Sequence, residues 1–400
     1  MRISCTSEHH AQGGPGCFFL ARAEDVLDQL IKEYAGKVQL IYLDPPFGTG
    51  DTFHVRLSGE RKSINLPVFE DKLNYAEYLI WMEQILTGCH KLLSPSGSIY
   101  LHIDYRKSAE LRLLLNRIFG EKNFMNEIIW SYKTGGRSTR YFPRKHDTIL
   151  FYRKSGSVYF DIKAVGKPRG PEKRNHMKRF VDEDGRICFS IRSGGKTYYY
   201  YEDTPVYPTD VWTDIEHLQQ KDKERTGYAT QKPEALLRRI ISASSRPGDL
   251  VMDLFSGSGT TASVSAKLGR RFLASDASPF ALNILRSRLI KNSGTKSLME
   301  DALPPEPMTL YYPEDNTPAG IEYDMSAGKD STTVRLKRAE FDGVYPLAYA
   351  ALGRSKDGCF YPAAVSFSPK LPLRISAKVE GTPVIHIADA VGRQAFFTLV

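Results

Sequence analysis

The residues with the clearest chemical potential are Asp44-Pro45-Pro46-Phe47, which follow the apolar run 40–43. That run is short and rich in β-forming residues, so it predicts a buried strand. Proline fixes φ and cannot donate to a ladder, and therefore the strand must end in a stiff, extended corner. The Asp44 carboxylate and the Pro45 carbonyl would be acceptors beside the flat Phe47 ring, an arrangement that suits a planar group carrying an NH2, such as an exocyclic base amine. The alternative is a structural Asp-Pro turn that only closes the strand.

A second group of polar and glycine residues follows another predicted strand much later in the chain. Its members are Asp253, Phe255, Gly257, Gly259 and Thr260, with Asp276 at the end of the next strand. A Gly-rich turn from strand to helix lets a ligand approach the backbone, and an acid at the neighbouring strand end can accept hydrogen bonds from ribose hydroxyls. This predicts a site for an adenosine-containing cofactor. The spacing matches neither the dinucleotide fingerprint nor a P-loop; the alternative is a plain Gly-rich connector.

The positive charge of the chain is concentrated in one segment. Residues 133–196 contain 17 Lys and Arg against 6 Asp and Glu, whereas the whole chain of 400 residues carries a net charge of +9. The remainder is therefore slightly acidic. A local basic excess of this size indicates a polyanionic partner such as nucleic acid, and the alternative is an ordinary solvated loop.

The overall composition is that of a globular protein, with 41% hydrophobic and 25% charged residues. The sequence shows neither an apolar run of membrane-spanning length nor a signal-peptide pattern, so we expect a cytoplasmic protein with no membrane partner. The five cysteines are scattered, which favours reduced thiols. The group of Cys5, His9, His10 and Cys17 fits no standard zinc spacing, and we predict no metal site.

Strands and helices alternate over most of the chain, which predicts an α/β fold with a mostly parallel, doubly wound sheet. We divide the chain into a catalytic part at 17–154, an insertion at 155–225, a cofactor-binding part at 226–292, a linker at 293–320 and a small β-rich domain at 321–400. Residues 1–16 are expected to be irregular, and residues 48–72 to form a functional flap beside the corner. A strong amphipathic helix is predicted over 74–93.

Taken together, the two groups resemble the motifs of amino-directed DNA methyltransferases of the circularly permuted β group, the N6-adenine and N4-cytosine family. Asp44-Pro45-Pro46-Phe47 matches the catalytic motif, and Gln231-Lys232-Pro233 with residues 253–261 matches the cofactor segment. Residues 96–104 and 146–152 also look like family segments. The resemblance covers residues 18 to about 290 and is similar in style to the modification subunits of type III restriction systems. Phe47 replaces the usual Tyr, and Arg22 stands where the family often has an acid near the cofactor adenine.

The resemblance implies a permuted Rossmann-like fold, S-adenosylmethionine as cofactor and double-stranded DNA as substrate. It implies catalytic roles for Asp44, Pro45, Pro46 and Phe47, and cofactor binding by Gln231, Lys232, Pro233, Asp253, Phe255, Gly257, Gly259, Thr260 and Asp276. Asp at the first position of the catalytic motif favours the N6 amine of a flipped adenine. The basic segment 133–196 would bind phosphates and carry target recognition. Arg137, Arg140, Arg144 and Lys145, which precede the insertion, are the first choices for backbone contacts. A homodimer and a cognate restriction subunit are compatible partners.

Three alternatives stay open at this point. Methylation of cytosine N4 is the nearest, because both bases occur with Asp in this motif. An RNA or protein amino-methyltransferase is less favoured because of the basic insertion. A non-catalytic DNA-binding protein that retains the methyltransferase fold is compatible with the Arg22 departure.

Overall fold

The structure is a computed structural model of the chain. It describes residues 3–8, 16–47, 52–58, 63–70, 73–133, 138–170, 177–228, 230–293, 308–313, 318–328, 331–341, 345–356, 359–367 and 370–400. His9, His10 and Arg137, which the sequence singled out, lie outside these ranges. Within them, no helix combines the length and the apolar character needed to cross a membrane.

Six α-helices occur in the described ranges: α1 Ala23–Tyr34, α2 Tyr75–Leu92, α3 Ser108–Phe119, α4 Glu234–Ser244, α5 Thr260–Lys267 and α6 Pro279–Ser293. Short 3-10 turns lie at Glu121–Asn123 and Ile162–Val165. The predicted helix over 74–93 is confirmed as α2. Asn74 caps it, because its side chain accepts from the Glu77 backbone N–H while the Glu77 carboxylate accepts from the Asn74 N–H.

The strands are numbered in chain order. The first twelve are β1 Ile3–Glu8, β2 Gly16–Leu20, β3 Val38–Leu43, β4 Thr52–Ser58, β5 Ser63–Glu70, β6 Leu93–Ile103, β7 Phe124–Ser131, β8 His146–Arg153, β9 Lys167–Pro168, β10 Lys178–Val181, β11 Ile187–Ser193 and β12 Lys196–Tyr201. The others are β13 Pro205–Val206, β14 Val211–Trp212, β15 Leu250–Asp253, β16 Arg271–Asp276, β17 Met308–Pro313, β18 Gly320–Ala327, β19 Thr332–Glu340, β20 Leu347–Lys356, β21 Cys359–Phe367, β22 Leu373–Ala377, β23 Pro383–Asp389 and β24 Gln394–Thr398.

One large sheet organises the molecule, with the strand order β14-β7-β8-β6-β3-β15-β16-β2-β17-β1-β21-β20-β23-β24. Its centre is parallel: β3 pairs in parallel with β6 and β15, and β16 pairs in parallel with β15 and β2. The strand β8 is antiparallel to both β6 and β7. The parallel strands therefore present their carboxyl ends at one edge of the sheet, which is where open α/β sheets bind ligands.

Helices cover both faces of the parallel centre. Alternate residues of β3 face opposite ways, as strand geometry requires. Ile41 and Leu43 pack in the core cluster that contains the apolar sides of α1, α2 and α3. Leu40 and Tyr42 pack in the cluster that contains α4 and Val264 of α5. Burial on both sides explains why β3 has no polar face. The predicted α/β class with a mostly parallel, doubly wound, Rossmann-like sheet is confirmed.

Several local expectations differ from the structure. Residues 3–8, expected to be irregular, form β1, which pairs with β17. The stretch predicted to be a linker thus contains a strand of the main sheet. In the region expected to be a flap, β4 and β5 form an antiparallel hairpin. The pairing of β1 with β17 joins segments far apart in sequence, so local composition did not reveal it. In β4 and β5 the alternation of apolar and polar residues is too weak to indicate strands.

The region predicted to be an insertion contains its own small sheet, β10-β11-β12, before β14 returns to the edge of the main sheet beside β7. After residue 320 the chain is entirely β in the described ranges. A second sheet, β18-β19-β22, packs against β20 and β23 through a shared core that includes Val334, Leu352 and Ile385.

Candidate active site

The predicted corner lies at the carboxyl edge of the central strands. Asp44 directly follows β3, and residues 44–47 continue without regular secondary structure. Pro45 is buried, whereas Asp44 and Phe47 are half-buried. Because β3 lies between β6 and β15, the corner is flanked by the ends of two parallel neighbours. The rigid Pro-Pro pair therefore holds an acceptor and a ring at the expected ligand-binding edge.

The Asp44 carboxylate forms an ion pair with Lys232. Lys232 Nζ donates to Asp44 Oδ2 at 2.5 Å, and the two side chains are only 12% and 15% exposed. The same ammonium lies 5.6 Å from the centre of the Phe47 ring. Lys232 is held in place because Pro233 caps α4 and because Thr260 Oγ1 donates to the Lys232 carbonyl at 3.2 Å. A residue that the resemblance assigned to the cofactor thus touches the catalytic motif directly.

The loop after β15 is braced by Asp253. Its carboxylate accepts from the Phe255 backbone N–H at 3.0 Å and from the Thr261 hydroxyl at 2.6 Å. Burial raises the pKa of Asp253 to about 7, although the two hydrogen bonds oppose that rise. Asp253 therefore shapes the loop from beneath while also contributing to the wall of the cavity described below.

Asp276, at the end of β16, holds the same loop from the side. It accepts from the backbone N–H groups of Gly257 and Ser278, each at 2.8 Å, and burial raises its pKa to about 6. Gly257 and Gly259 both have positive φ, +50° and +70°. A Cβ on Gly259 would lie 2.8 Å from Leu285 Cδ1, so α6 packs against the loop with no room for a side chain.

The two groups of residues line a single cavity of about 650 Å³. Predicted catalytic and cofactor residues share its wall: Asp44, Pro45, Pro46, Phe47, Lys232, Asp253, Phe255, Gly257, Thr260 and Asp276. The volume falls within the range of small-molecule and cofactor sites. Gln231, Pro233 and Gly259 do not belong to the lining. The two motifs, distant in sequence, therefore form one site in which a cofactor and a planar amine can meet.

Comparison with known families agrees with this geometry. Residues 13–287 match the N6_N4_Mtase family model, described as DNA methylase. The chain belongs to this family. It is a DNA methyltransferase of the N6-adenine or N4-cytosine family, which accounts for an acceptor corner and a Gly-rich loop on one cavity.

Individual relatives of this DNA methylase are moderately similar. It is 29% identical over 322 residues to the type II methyltransferase M.EcaI of Enterobacter cloacae, covering 68% of this chain and 69% of that one. It is 28% identical over 251 residues to the DNA adenine methyltransferase YhdJ of Escherichia coli (strain K12), covering 62% of this chain and 75% of that one. It is 23% identical over 404 residues to the probable type III restriction-modification enzyme HindVI Mod subunit of Haemophilus influenzae, covering 71% of this chain and 52% of that one.

Two predicted cofactor residues of the DNA methylase support the site from outside the cavity. Gln231 Oε1 accepts from the backbone and hydroxyl of Thr226, and Gln231 Nε2 donates to the Glu224 carbonyl at 2.7 Å. The side chain thus closes the loop that leads to Lys232. Pro233 is the N-cap residue of α4. Both residues position Lys232, and neither lines the cavity.

Several cavity residues were not predicted from the sequence, among them Glu24, Trp81, Tyr228 and Leu73. Glu24, in the first turn of α1, accepts from Trp81 Nε1 of α2 at 3.1 Å, and the Trp81 ring contacts Phe255 edge-on at 5.5 Å. Tyr228, which is buried, lies 3.2 Å from the position of a Cβ on Gly257, and Leu73 lines the same cavity. The one available signal was the acidic start of α1, because Glu24 lies shortly after the end of β2. Arg22, noted as a departure, also lines the cavity.

A buried arginine ties the cofactor loop to the helices beneath it. Arg288 of α6 donates to the Ser258 carbonyl at 3.1 Å and to Thr260 Oγ1 at 2.9 Å. Its other nitrogen donates to Glu234 of α4 at 2.9 Å, and Glu234 also pairs with Lys267 of α5. Three helices are thus joined at the base of the loop, which restricts its motion.

A hydrogen-bonded chain lies behind the Phe47 ring. His102, fully buried at the end of β6, is roughly parallel to Phe47 with ring centres 6.3 Å apart. Its Nε2 donates to Asp147 Oδ2 at 3.0 Å, and in the neutral ring Nδ1 accepts from the Tyr42 hydroxyl at 2.8 Å. Burial alone would raise the pKa of Asp147, but the interaction with His102, the nearby charge of Lys232 and the hydrogen bond from Tyr132 outweigh burial and hold that pKa at about 2. This chain fixes the wall on which Phe47 rests.

The predicted DNA-backbone residues lie near the same edge, except that Arg137 is outside the described residues. Arg140 and Arg144 are exposed, and Lys145 is half-buried. Arg144 Nη1 donates to the Tyr105 hydroxyl at 2.6 Å. In the part of the chain that the structure describes, no group of three or more His, Cys, Asp or Glu is arranged to hold a metal ion.

Proposed function

We propose that this DNA methyltransferase transfers a methyl group to the N6 amine of an adenine that has been flipped out of double-stranded DNA. The observation that carries the proposal is the shared cavity, in which the Asp44 corner and the Gly257 loop face one another. The cofactor is S-adenosylmethionine, in keeping with the family, and it supplies an electrophilic methyl group. The size of the cavity and the acid at the end of β16 fit a nucleoside-containing cofactor.

The corner would bind the target base through complementary groups. Asp44 Oδ2 is engaged by Lys232, and among the described residues Oδ1 has no recorded donor. Oδ1 and the Pro45 carbonyl can therefore accept the two amine hydrogens while Phe47 stacks on the ring. A base inside a duplex cannot reach this corner, so the target must leave the stack.

These contacts also explain how the amine becomes a nucleophile. The lone pair of an aryl amine is delocalised into the ring, and acceptors on both hydrogens favour a pyramidal nitrogen that frees it. S-adenosylmethionine, held by the Gly257 loop and Asp276, would supply the methyl group that this nitrogen accepts. The extra proton on the nitrogen leaves afterwards, with the Asp44 carboxylate as the nearest acceptor. The ion pair with Lys232 holds that carboxylate in position, so positioning and electrostatics carry the reaction.

The choice of adenine is supported by two observations. Asp at the first motif position favours adenine within the resembled family, and one relative is named as a DNA adenine methyltransferase. Cytosine N4 is the alternative, because the family includes both reactions. A homodimer and a restriction subunit remain proposed partners; the similarity to a type III Mod subunit supports the second.

The test is transfer of label from S-adenosylmethionine to DNA of mixed sequence. Asp44→Ala should lower transfer at least about 100-fold, as loss of a transition-state hydrogen-bond partner does, without changing cofactor affinity. A matched control is Asp324→Ala, which breaks an exposed pair with Lys337 and should leave transfer unchanged. Nucleoside analysis of the product identifies the base. Absence of transfer by the wild-type protein, or equal transfer by Asp44→Ala, would contradict the proposal.

A further inference from the structure

Phe142 is the most exposed aromatic side chain recorded among the described residues, at 95% exposure. Single exposed apolar residues are common on protein surfaces, so exposure alone indicates nothing. Phe142 differs in its setting, because the exposed residues around it include Arg140, Tyr141 and Arg144. A bare ring between cations is matched to a partner that has both anionic groups and flat apolar surfaces.

The segment that carries Phe142, residues 138–145, is held in a defined shape. Ser138 Oγ accepts from the backbone N–H groups of Arg140 and Tyr141, each at 3.3 Å. Arg144 donates to the Tyr105 hydroxyl and stacks on the rings of Tyr105 and Tyr141, at 4.1 Å and 4.8 Å. Side chains on either side of Phe142 are therefore anchored, and the ring itself projects from a fixed support.

This segment is placed beside the cavity by the sheet. Because β8 is antiparallel to β6, the start of β8 lies at the same edge as the end of β6. The base of the segment is closed by the Tyr132 backbone N–H, which donates to the Lys145 carbonyl at 3.0 Å. From there, Asp147 bonds to Tyr132 and His102, and His102 lies against Phe47. One run of contacts thus joins the base of the segment to the proposed binding site of the flipped base.

Duplex DNA is the partner that fits these features. Phosphates pair with exposed guanidinium groups, while an apolar side chain can enter a base step and partly unstack it. Extrusion of a base leaves a gap in the stack, and an aromatic ring can replace the lost stacking. A protein partner would also cover Phe142, but the local basic charge favours the polyanion.

We propose that Phe142 is a wedge that inserts into the DNA stack beside the extruded target nucleotide and stabilises the flipped state. This inference rests on the proposed function, since it requires the target base to leave the duplex. Arg140 and Arg144 hold the backbone on either side of the wedge, so the ring is delivered to the step next to the target.

The experiment compares two duplexes after methylation-aware sequencing has located the target site. In the first duplex the target base is paired. In the second it lies opposite an abasic position, so its extrusion breaks no base pair. Single-turnover methylation is measured for wild type, Phe142→Ala and Phe142→Trp. Leu113→Ala is the control, because Leu113 is 69% exposed on α3.

Phe142→Ala should slow methylation of the paired duplex about 10- to 100-fold, on the order of one base-stacking contact. On the abasic-opposed duplex the loss should shrink to within about threefold, Phe142→Trp should retain activity on both, and Leu113→Ala should match wild type. Affinity for S-adenosylmethionine should be the same for all four proteins.

Two results would overturn the wedge. Equal loss on both duplexes would make Phe142 an ordinary contact, and no loss on the paired duplex would make it irrelevant. Either result, with active wild-type protein, leaves the methyltransferase function intact. A wild-type protein that methylates neither duplex would instead overturn the proposed function and the wedge with it.

Discussion

The packing of the cofactor loop against α6 can be tested by substituting the two glycines that flank α5. Gly259 precedes α5 with φ +70°, and Gly269 follows it with φ +71°. Alanine at either position carries the cost of a left-handed conformation, about 1–2 kcal/mol. The surroundings differ: a Cβ at 259 meets Leu285 Cδ1 at 2.8 Å and its Cα at 3.3 Å, whereas a Cβ at 269 meets only Pro247 Cβ at 3.9 Å.

Gly259→Ala should therefore cost an additional 1–3 kcal/mol or so, because Leu285 is fully buried and its backbone must shift. The same shift moves residues 258 and 260, which line the cavity, so affinity for S-adenosylmethionine should fall at least about tenfold. Gly269 lies beyond the far end of α5, a helix roughly 12 Å long, and its substitution should leave affinity unchanged.

Thermal unfolding midpoints and calorimetric cofactor titration measure the two effects. Gly259→Ala should have the lower midpoint and the weaker binding. Equal midpoints for the two variants would show that backbone strain alone decides the cost. Unchanged cofactor affinity in Gly259→Ala would refute the inference that α6 sets the position of the loop.

Three further predictions concern side chains in the cavity. Burial raises the pKa of Asp253 from 3.8 to about 7, so the folded state loses stability as the pH rises from about 4 to 7. Asp253→Asn should remove this loss and increase the free energy of unfolding by up to about 4 kcal/mol at pH 8. Urea unfolding across that range measures it, and a difference between variant and wild type that is constant with pH would contradict it. Lys232→Met should lower kcat about 10- to 100-fold with cofactor affinity within twofold. A loss of cofactor affinity instead would contradict this prediction and support the cofactor role that the resemblance assigned to Lys232. Phe47→Ala should lower kcat/KM by a factor equivalent to the loss of about 1–3 kcal/mol of stacking free energy. The kcat/KM of Phe47→Tyr should stay within about threefold of wild type, and an equal loss in both variants would exclude stacking.

The parts of the site that the sequence predicted are local in origin. Asp44 to Phe47 and Asp253 to Thr260 are contiguous stretches whose residue types determine a corner and a turn wherever they occur. Their meeting in one cavity follows from the observed sheet, because parallel strands share a carboxyl edge. The doubly wound sheet was also predictable from local patterns, because segments with strand periodicity alternate along the chain with segments of helix periodicity.

What the sequence did not predict depends on distant contacts. The bond from Lys232 to Asp44 spans 188 residues, and no local pattern distinguishes it from a contact with the cofactor. Trp81 is one of many residues on an amphipathic helix until α2 packs beside Glu24. β1 becomes a strand of the main sheet only because β17, which lies far later in the sequence, pairs with it. Such pairings are set by tertiary context and carry little local signal.

The separation of Asp44 from its cavity partners also has a consequence for biosynthesis. The corner is translated long before the loop that faces it, and β3 obtains its neighbour β15 only after the intervening segments exist. At about 5–20 residues per second, roughly 10 to 40 s pass between the synthesis of Asp44 and that of Asp253. During the second half of that interval the nascent chain carries the exposed aromatic and basic segment at 138–145 but cannot yet assemble the cavity. On the proposed DNA-binding role of this segment, a ribosome-bound chain is expected to contact DNA before it is able to modify it.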